Sequence, residues 1–273
     1  MSALDDLPLI LEPEELEPLL GTEGLLVVDV CRAECYAEDH IPGAIHIDYN
    51  QIVAANPPAH GLLPETGYLE QLFSASGIGN DTHVVAYDDE GGGKSARLLW
   101  TLEAMGHTKF SLLNGGFHSW ASEGHPQEEK AATPTPANFK ANFNQGPVAD
   151  ADYINQALNK PNLALVDART RDEYEGNRLM AARGGHIPGA KNWDWMELKD
   201  NAHNQRLKPA EELRQALVER GVSPDNEVVV YCHTHHRSSL TYIALKALGY
   251  SQLKGYPGSW SDWGNRTDTP IEE

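Results

Sequence analysis

Tyr231-Cys232-His233-Thr234-His235-His236-Arg237-Ser238-Ser239 is the stretch whose residue types could do chemistry. A thiol, three histidines and an arginine stand within six residues. An apolar run, Val228-Val229-Val230-Tyr231, precedes the cysteine, and Leu240, Ile243, Ala244, Ala247 and Leu248 follow at helical spacing up to Gly249. Cys232 is therefore expected where a strand ends and Arg237 where the next helix begins. A tight loop between them points successive backbone amides inward, a cup suited to an anion. Such a cup, with the permanent charge of Arg237, lowers a thiol pKa and makes Cys232 a nucleophile.

Competing readings use the same residues. A cysteine after a strand can be a small buried apolar residue. Cys232, His233, His235 and His236 are ligand types, but neighbours in so tight a loop cannot converge on one tetrahedral ion, so no metal is expected. His235 and His236 either add charge to the cup or face solvent.

The elements that must hold this loop occur twice. Leu26-Val27-Val28-Asp29 with Tyr36 matches Leu165-Val166-Asp167 with Tyr174, and His40-Ile41-Pro42-Gly43-Ala44 returns whole as His186-Ile187-Pro188-Gly189-Ala190. Val84-Val85-Ala86-Tyr87 matches Val228-Val229-Val230-Tyr231, and Gly116-Phe117-His118-Ser119-Trp120 pairs with Tyr256-Pro257-Gly258-Ser259-Trp260. The matches keep their order, as in two copies of one domain. Within each copy short apolar runs alternate with helical patterns, such as the face formed by Leu98, Leu102 and Met105. That alternation predicts an α/β fold, a parallel sheet covered by helices on both faces. The expected organisation is a non-catalytic domain over 1–124, a Pro-, Ala- and Thr-rich linker over 125–148, and a catalytic domain over 149–273.

The copies differ where chemistry is at stake. Asp88 stands at the place of Cys232, in Asp88-Asp89-Glu90-Gly91-Gly92-Gly93-Lys94-Ser95, and these acids are expected to repel an anion. Eleven residues separate Tyr174 from His186, against three between Tyr36 and His40. The longer segment carries Arg178 and Arg183 where the first copy has Glu38 and Asp39. Cys31 and Cys35 take the places of Arg169 and Glu173 and are expected to be inert thiols. Asp167, Arg169 and Glu173 are expected to form one structural network.

The 273 residues suit two cores, and no apolar run reaches the length of a membrane span. With 21 basic and 40 acidic residues the formal charge is −19, which argues against nucleic acid and anionic membrane as partners. An acidic N-terminus without a positive start and three cysteines lead us to expect a cytoplasmic, reducing compartment. A monomer is expected.

Together these residues resemble the tandem-domain rhodaneses, the thiosulfate and mercaptopyruvate sulfurtransferases, over essentially the whole chain. The Cys-x-Thr-His-His-Arg-Ser loop is similar to that of a bacterial type found in Azotobacter and Pseudomonas. It departs from the Cys-Arg-Lys-Gly loop of animal rhodaneses and the Cys-Gly-Ser/Thr-Gly loop of mercaptopyruvate enzymes. The resemblance implies two rhodanese-like domains and sulfane-sulfur transfer through a persulfide on Cys232, to cyanide or a thiol, with no cofactor. It implies that amides from His233, Thr234, His235, His236 and Arg237 hold the persulfide, that Arg237 binds the donor's anionic group, and that Arg183 and Arg178 contact substrate. Trp195 would line the pocket or serve as a core tryptophan. The rivals are a mercaptopyruvate enzyme, a persulfide carrier for a sulfur-accepting protein, a phosphatase of the Cys-x5-Arg kind and a purely structural protein. Four residues, not five, lie between Cys232 and Arg237.

Overall fold

A computed structural model describes residue 4 and residues 6–273. The apolar pentads form the central strands, because a run buried on both faces suits a parallel sheet between helices. In the first unit the strands run in the order Ile10–Leu11, Phe110–Leu113, His83–Tyr87, Leu25–Asp29, Ile45–His46, all parallel. In the second the order is Leu253–Gly255, Glu227–Tyr231, Leu163–Asp167, Lys191–Asn192, again all parallel. Leu98, Leu102 and Met105 are buried on the helix Gly93–Ala104 and its C-cap, as their spacing predicted. Leu240, Ile243 and Ala244 are likewise buried on the helix Arg237–Ala247.

The His-Ile-Pro-Gly-Ala blocks fasten the sheets. His40 stacks on Tyr36 and its Nδ1–H donates to the Tyr36 carbonyl, 2.7 Å away, while the Ile41 amide donates to the Tyr87 hydroxyl at 3.1 Å. His186 stacks on Tyr174 with centroids 3.6 Å apart, and the Ile187 amide donates to the Tyr231 hydroxyl at 3.2 Å.

Two segments pack away from their expected copy. The first unit comprises Met1–Ile52, Pro64–Asn144 and Asp200–Leu207, and the second Val53–Leu63, Gln145–Lys199 and Lys208–Glu273. Val53–Leu63 thus belongs to the second unit by its contacts, as the antiparallel pair Ala54–Asn56 and Ala59–Leu62. Much of the stretch expected as a linker is tied down: the Glu128 and His40 backbones exchange hydrogen bonds, and the Ala137 amide donates to the Ser74 carbonyl at 2.8 Å. Glu272 repeats the Glu128 arrangement against His186. The stretch lacks apolar periodicity because backbone hydrogen bonds, rather than a buried face, hold it.

One sequence pairing is corrected. The Phe117 amide donates to the Asp88 carbonyl, and its counterpart donating to the Cys232 carbonyl is that of Trp260. The Trp120 indole donates to the Pro126 carbonyl, as Trp263 does to Pro270. Trp120 therefore corresponds to Trp263, not Trp260; the likeness of the two Ser-Trp dipeptides masked a shift of three residues.

Candidate active site

Cys232 lies at the carboxyl end of Glu227–Tyr231 and is fully buried. The chain then turns through 233–236 into the helix Arg237–Ala247. Ser259 pins the turn from below: its hydroxyl accepts from the Cys232 amide at 3.2 Å and the His235 amide at 3.1 Å, and donates to the Tyr256 carbonyl at 2.7 Å. His235 takes a left-handed conformation, φ +52°, which folds the turn back on itself.

The sulfur receives the hydroxyl and amide of Ser238 and the amide of Thr234. Burial pushes the thiol pKa up, but Arg237 and these donors outweigh it and bring the thiol down to about 7. A substantial thiolate fraction therefore exists at neutral pH. His235 does not serve the cup with its amide, which the Ser259 hydroxyl takes. The expectation that every amide from His233 to Arg237 points inward is corrected accordingly.

Arg237 is itself held. Its Nη1 and Nη2 donate to Glu173 at 2.6 and 2.9 Å, a charge-assisted fork. Burial raises the Glu173 carboxyl, but Arg237 overrides this and leaves it at about 2. Thr170 fixes Glu173 in turn through its hydroxyl, at 2.9 Å. The expected network of Asp167, Arg169 and Glu173 is thus two networks. Arg169 grips Asp167, its Nη2 2.6 Å from Oδ2, and lies 4.4 Å from the Trp260 ring, while Glu173 serves Arg237.

The remaining expected residues divide. His233 is half-buried, and burial, then Arg237, lowers its pKa, which keeps the ring neutral at pH 7. His236 packs at 5.9 Å from Trp195, and the Lys199 ammonium lies 3.9 Å above that indole. Trp195 therefore stands beside the loop, whereas Trp193 fills the core. His235 is fully buried and does not face solvent. The Arg183 guanidinium donates to the carbonyls of Trp263 at 2.8 Å and Thr269 at 2.9 Å and to the Thr269 hydroxyl at 2.7 Å. It ties the insert to the C-terminal segment. Arg178 is exposed on the same insert.

Sequence reasoning missed the wall supplied by Val53–Leu63. Gly61, φ +75°, packs so closely that a Cβ there would lie 2.1 Å from the Thr234 carbonyl oxygen. The His60 amide donates to the Ser261 hydroxyl at 2.9 Å, and the His60 ring lies within electrostatic reach of His233. No sequence pattern links Gly61 to Thr234; the antiparallel pair Ala54–Asn56 and Ala59–Leu62 carries Gly61 to that carbonyl. Ser238, Ser259 and Glu173 were also missed as loop supports.

The first unit carries the same cup with a different content. Its Asp88 carboxylate accepts from the amides of Glu90 at 3.0 Å, Gly92 at 2.8 Å and Ser95 at 2.9 Å, and from the Ser95 hydroxyl at 2.9 Å. The donors of this cup are taken up by the chain's own carboxylate. Asp89 engages Lys94 and Arg32, both at 2.7 Å. Burial, then Asp29, drives the Cys31 thiol far up, and burial, then Asp89, raises Cys35, so neither is a ready nucleophile.

Comparison with known proteins agrees with this geometry. The model of the rhodanese-like domain matches residues 12–123 and again 150–266. The chain is 42% identical to a thiosulfate sulfurtransferase of Pseudomonas aeruginosa and 41% identical to one of Azotobacter vinelandii, each over 100% of both chains. Its fold is similar to that of an anaerobic ergothioneine biosynthesis enzyme from Chlorobium limicola, with a TM-score of 0.88 at 22% identity, covering 100% of this chain and 72% of that one. The chain belongs to the rhodanese-like family, with two copies of the domain.

Proposed function

We propose that this chain transfers the sulfane sulfur of thiosulfate to cyanide or a thiol through a persulfide on Cys232. The observation that carries the reading is a fully buried sulfur at a strand end, beside the donors of Thr234 and Ser238 and the half-buried Arg237 guanidinium, all of which favour its thiolate. The Cys232 thiolate attacks the outer sulfur of thiosulfate. A new S–S bond forms, the S–S bond of the donor breaks, and sulfite leaves with the electron pair. Cyanide then attacks the terminal sulfur of the persulfide, thiocyanate leaves, and the thiolate returns. Charge is conserved in each half, so no cofactor is needed, and the two displacements give ping-pong kinetics. The Thr234 and Ser238 donors are in place before the negative sulfur arrives.

The phosphatase reading loses ground on geometry. A phosphate needs many inward amides, and the His235 amide is turned onto Ser259 at 3.1 Å. A sulfur-accepting protein as physiological acceptor and 3-mercaptopyruvate as donor use the same loop. The protein is proposed to act as a monomer in a reducing, cytoplasmic compartment, in keeping with free thiols at Cys31, Cys35 and Cys232. Among the described residues no helix is long and apolar enough to cross a membrane.

The test is thiocyanate formation from cyanide with thiosulfate or 3-mercaptopyruvate, by the wild type and Cys232→Ala. Turnover with thiosulfate that the variant loses is the expected result. Faster turnover with 3-mercaptopyruvate would reassign the donor. Hydrolysis of an aryl phosphate that requires Cys232, without sulfur transfer, would overturn the proposal.

A further inference from the structure

Ser238 opens the helix Arg237–Ala247 and is fully buried. Its hydroxyl serves the Cys232 sulfur, and its oxygen lies 2.8 Å from Nδ1 of His235, also fully buried. A serine hydroxyl has one proton to give. Pointed at the imidazole, that proton is lost to the sulfur; pointed at the sulfur, it requires the imidazole to be the donor. Which arrangement holds depends on the His235 tautomer.

The backbone around His235 is built to place that ring. A left-handed φ of +52° is costly for a residue with a Cβ. It is maintained by the His235 amide on the Ser259 hydroxyl at 3.1 Å and the Ser239 hydroxyl on the His235 carbonyl at 2.5 Å. Glycine would adopt this turn more cheaply, so the turn alone does not explain a histidine here.

We infer that His235 is a positioning residue that sets the direction of the Ser238 hydroxyl: Nδ1–H donates to Ser238 Oγ, and the hydroxyl proton is thereby committed to the sulfur anion on Cys232. The same donor then serves the thiolate and the persulfide. No bond is made or broken at His235. The catalytic meaning of this role rests on the sulfur-transfer reading, but its test does not.

The test is the pH dependence of iodoacetamide alkylation at Cys232 in the full chain, followed at that residue by peptide mass. Other charged and titratable groups within electrostatic reach of the sulfur or its arginine are Arg237, Glu173, Asp194, Asp167 and His233, with Arg169 and His60 acting on His233. All are left intact. Ser238→Ala and His235→Gly should each raise the half-point by about one pH unit, roughly a tenfold loss of thiolate when the thiol is mostly protonated. The double variant should shift no further than Ser238→Ala, because His235 acts through that hydroxyl. His235→Asn, which tolerates the left-handed turn and offers an N–H near the place of Nδ1, should restore the wild-type profile. A wild-type profile for His235→Gly, or a double variant whose shift is the sum of the two, would overturn the inference. Should the glycine variant fail to fold, Asn against Ala at 235 makes the same comparison, equal profiles refuting it. Absence of thiosulfate turnover in the wild type would instead strike the proposed function and leave this comparison intact.

Discussion

The two cups are the same device with different occupants. In the first unit the amides and a hydroxyl close on the Asp88 carboxylate, an acceptor carried by the chain itself. In the second they close on Cys232, which becomes an anion only when the thiol ionises. Each cup has a cation at the helix start, but Lys94 is taken by Asp89 within its own loop, whereas Arg237 is held by Glu173 from a separate helix. A built-in carboxylate satisfies the donors for good and stabilises the loop. A thiol leaves them waiting for a sulfur that comes and goes, which is what group transfer requires. The loop and its supports are a structural unit; the residue at its centre and the cation beside it are what differ between the two copies.

Substitutions can break that contrast. Cys232→Ala should lower thiocyanate formation by roughly a thousandfold or more while leaving the thermal midpoint close to wild type, since the nucleophile acts as an indispensable part of the machinery. Arg237→Gln removes the cation from the sulfur and should move the half-point of Cys232 alkylation up from about 7 by about one to two units. The sign follows from the thiolate, which loses its attractive partner; an unchanged pH profile would show that Arg237 does not set the thiol. Gly61→Ala should distort the turn at Thr234 and cost about 1–3 kcal/mol in denaturant unfolding, because the added carbon meets a backbone carbonyl. Sulfur transfer should slow with it, although Gly61 is remote in sequence.

Asp88→Asn tests the other side of the comparison. It weakens the buried acceptor and should destabilise the protein by about 1–3 kcal/mol, read as a lower unfolding midpoint, with little change in sulfur transfer. The smallest effect is expected for Cys31→Ser with Cys35→Ser, whose alkylation and turnover at neutral pH should follow Cys232 alone. Labelling of Cys31 at a rate comparable to Cys232 in the wild type would contradict the upward push that burial and Asp29 exert on its thiol pKa.

Much of this was legible in the chain because the motif residues have local duties. His40 and His186 touch their own tyrosines, and the apolar pentads form the central strands wherever they occur, so the twofold repeat reads directly as two sheets. The cysteine loop was legible for the same reason, a strand end and a helix start separated by a few residues. What was not legible depends on direction or distance. Arg183 is a cation in a promising place, yet only its bonds to Trp263 and Thr269 reveal that it serves the backbone. Glu173 and Arg169 are close in sequence but face different partners. A sequence counts the acids of the first loop without showing that Asp88 curls into the cup as its occupant. Gly61 gave no sign at all, since its requirement for a missing side chain comes from Thr234.

The most direct measurement is the intact mass of the protein after thiosulfate is added without an acceptor, followed by peptide mapping and then cyanide. One additional sulfur atom, located on Cys232 and removed by cyanide as thiocyanate, is the result this account predicts. A protein that gains no sulfur, or gains it on Cys31 or Cys35 while Cys232 stays a thiol, would contradict the claim that the second cup alone is built for an anion that comes and goes.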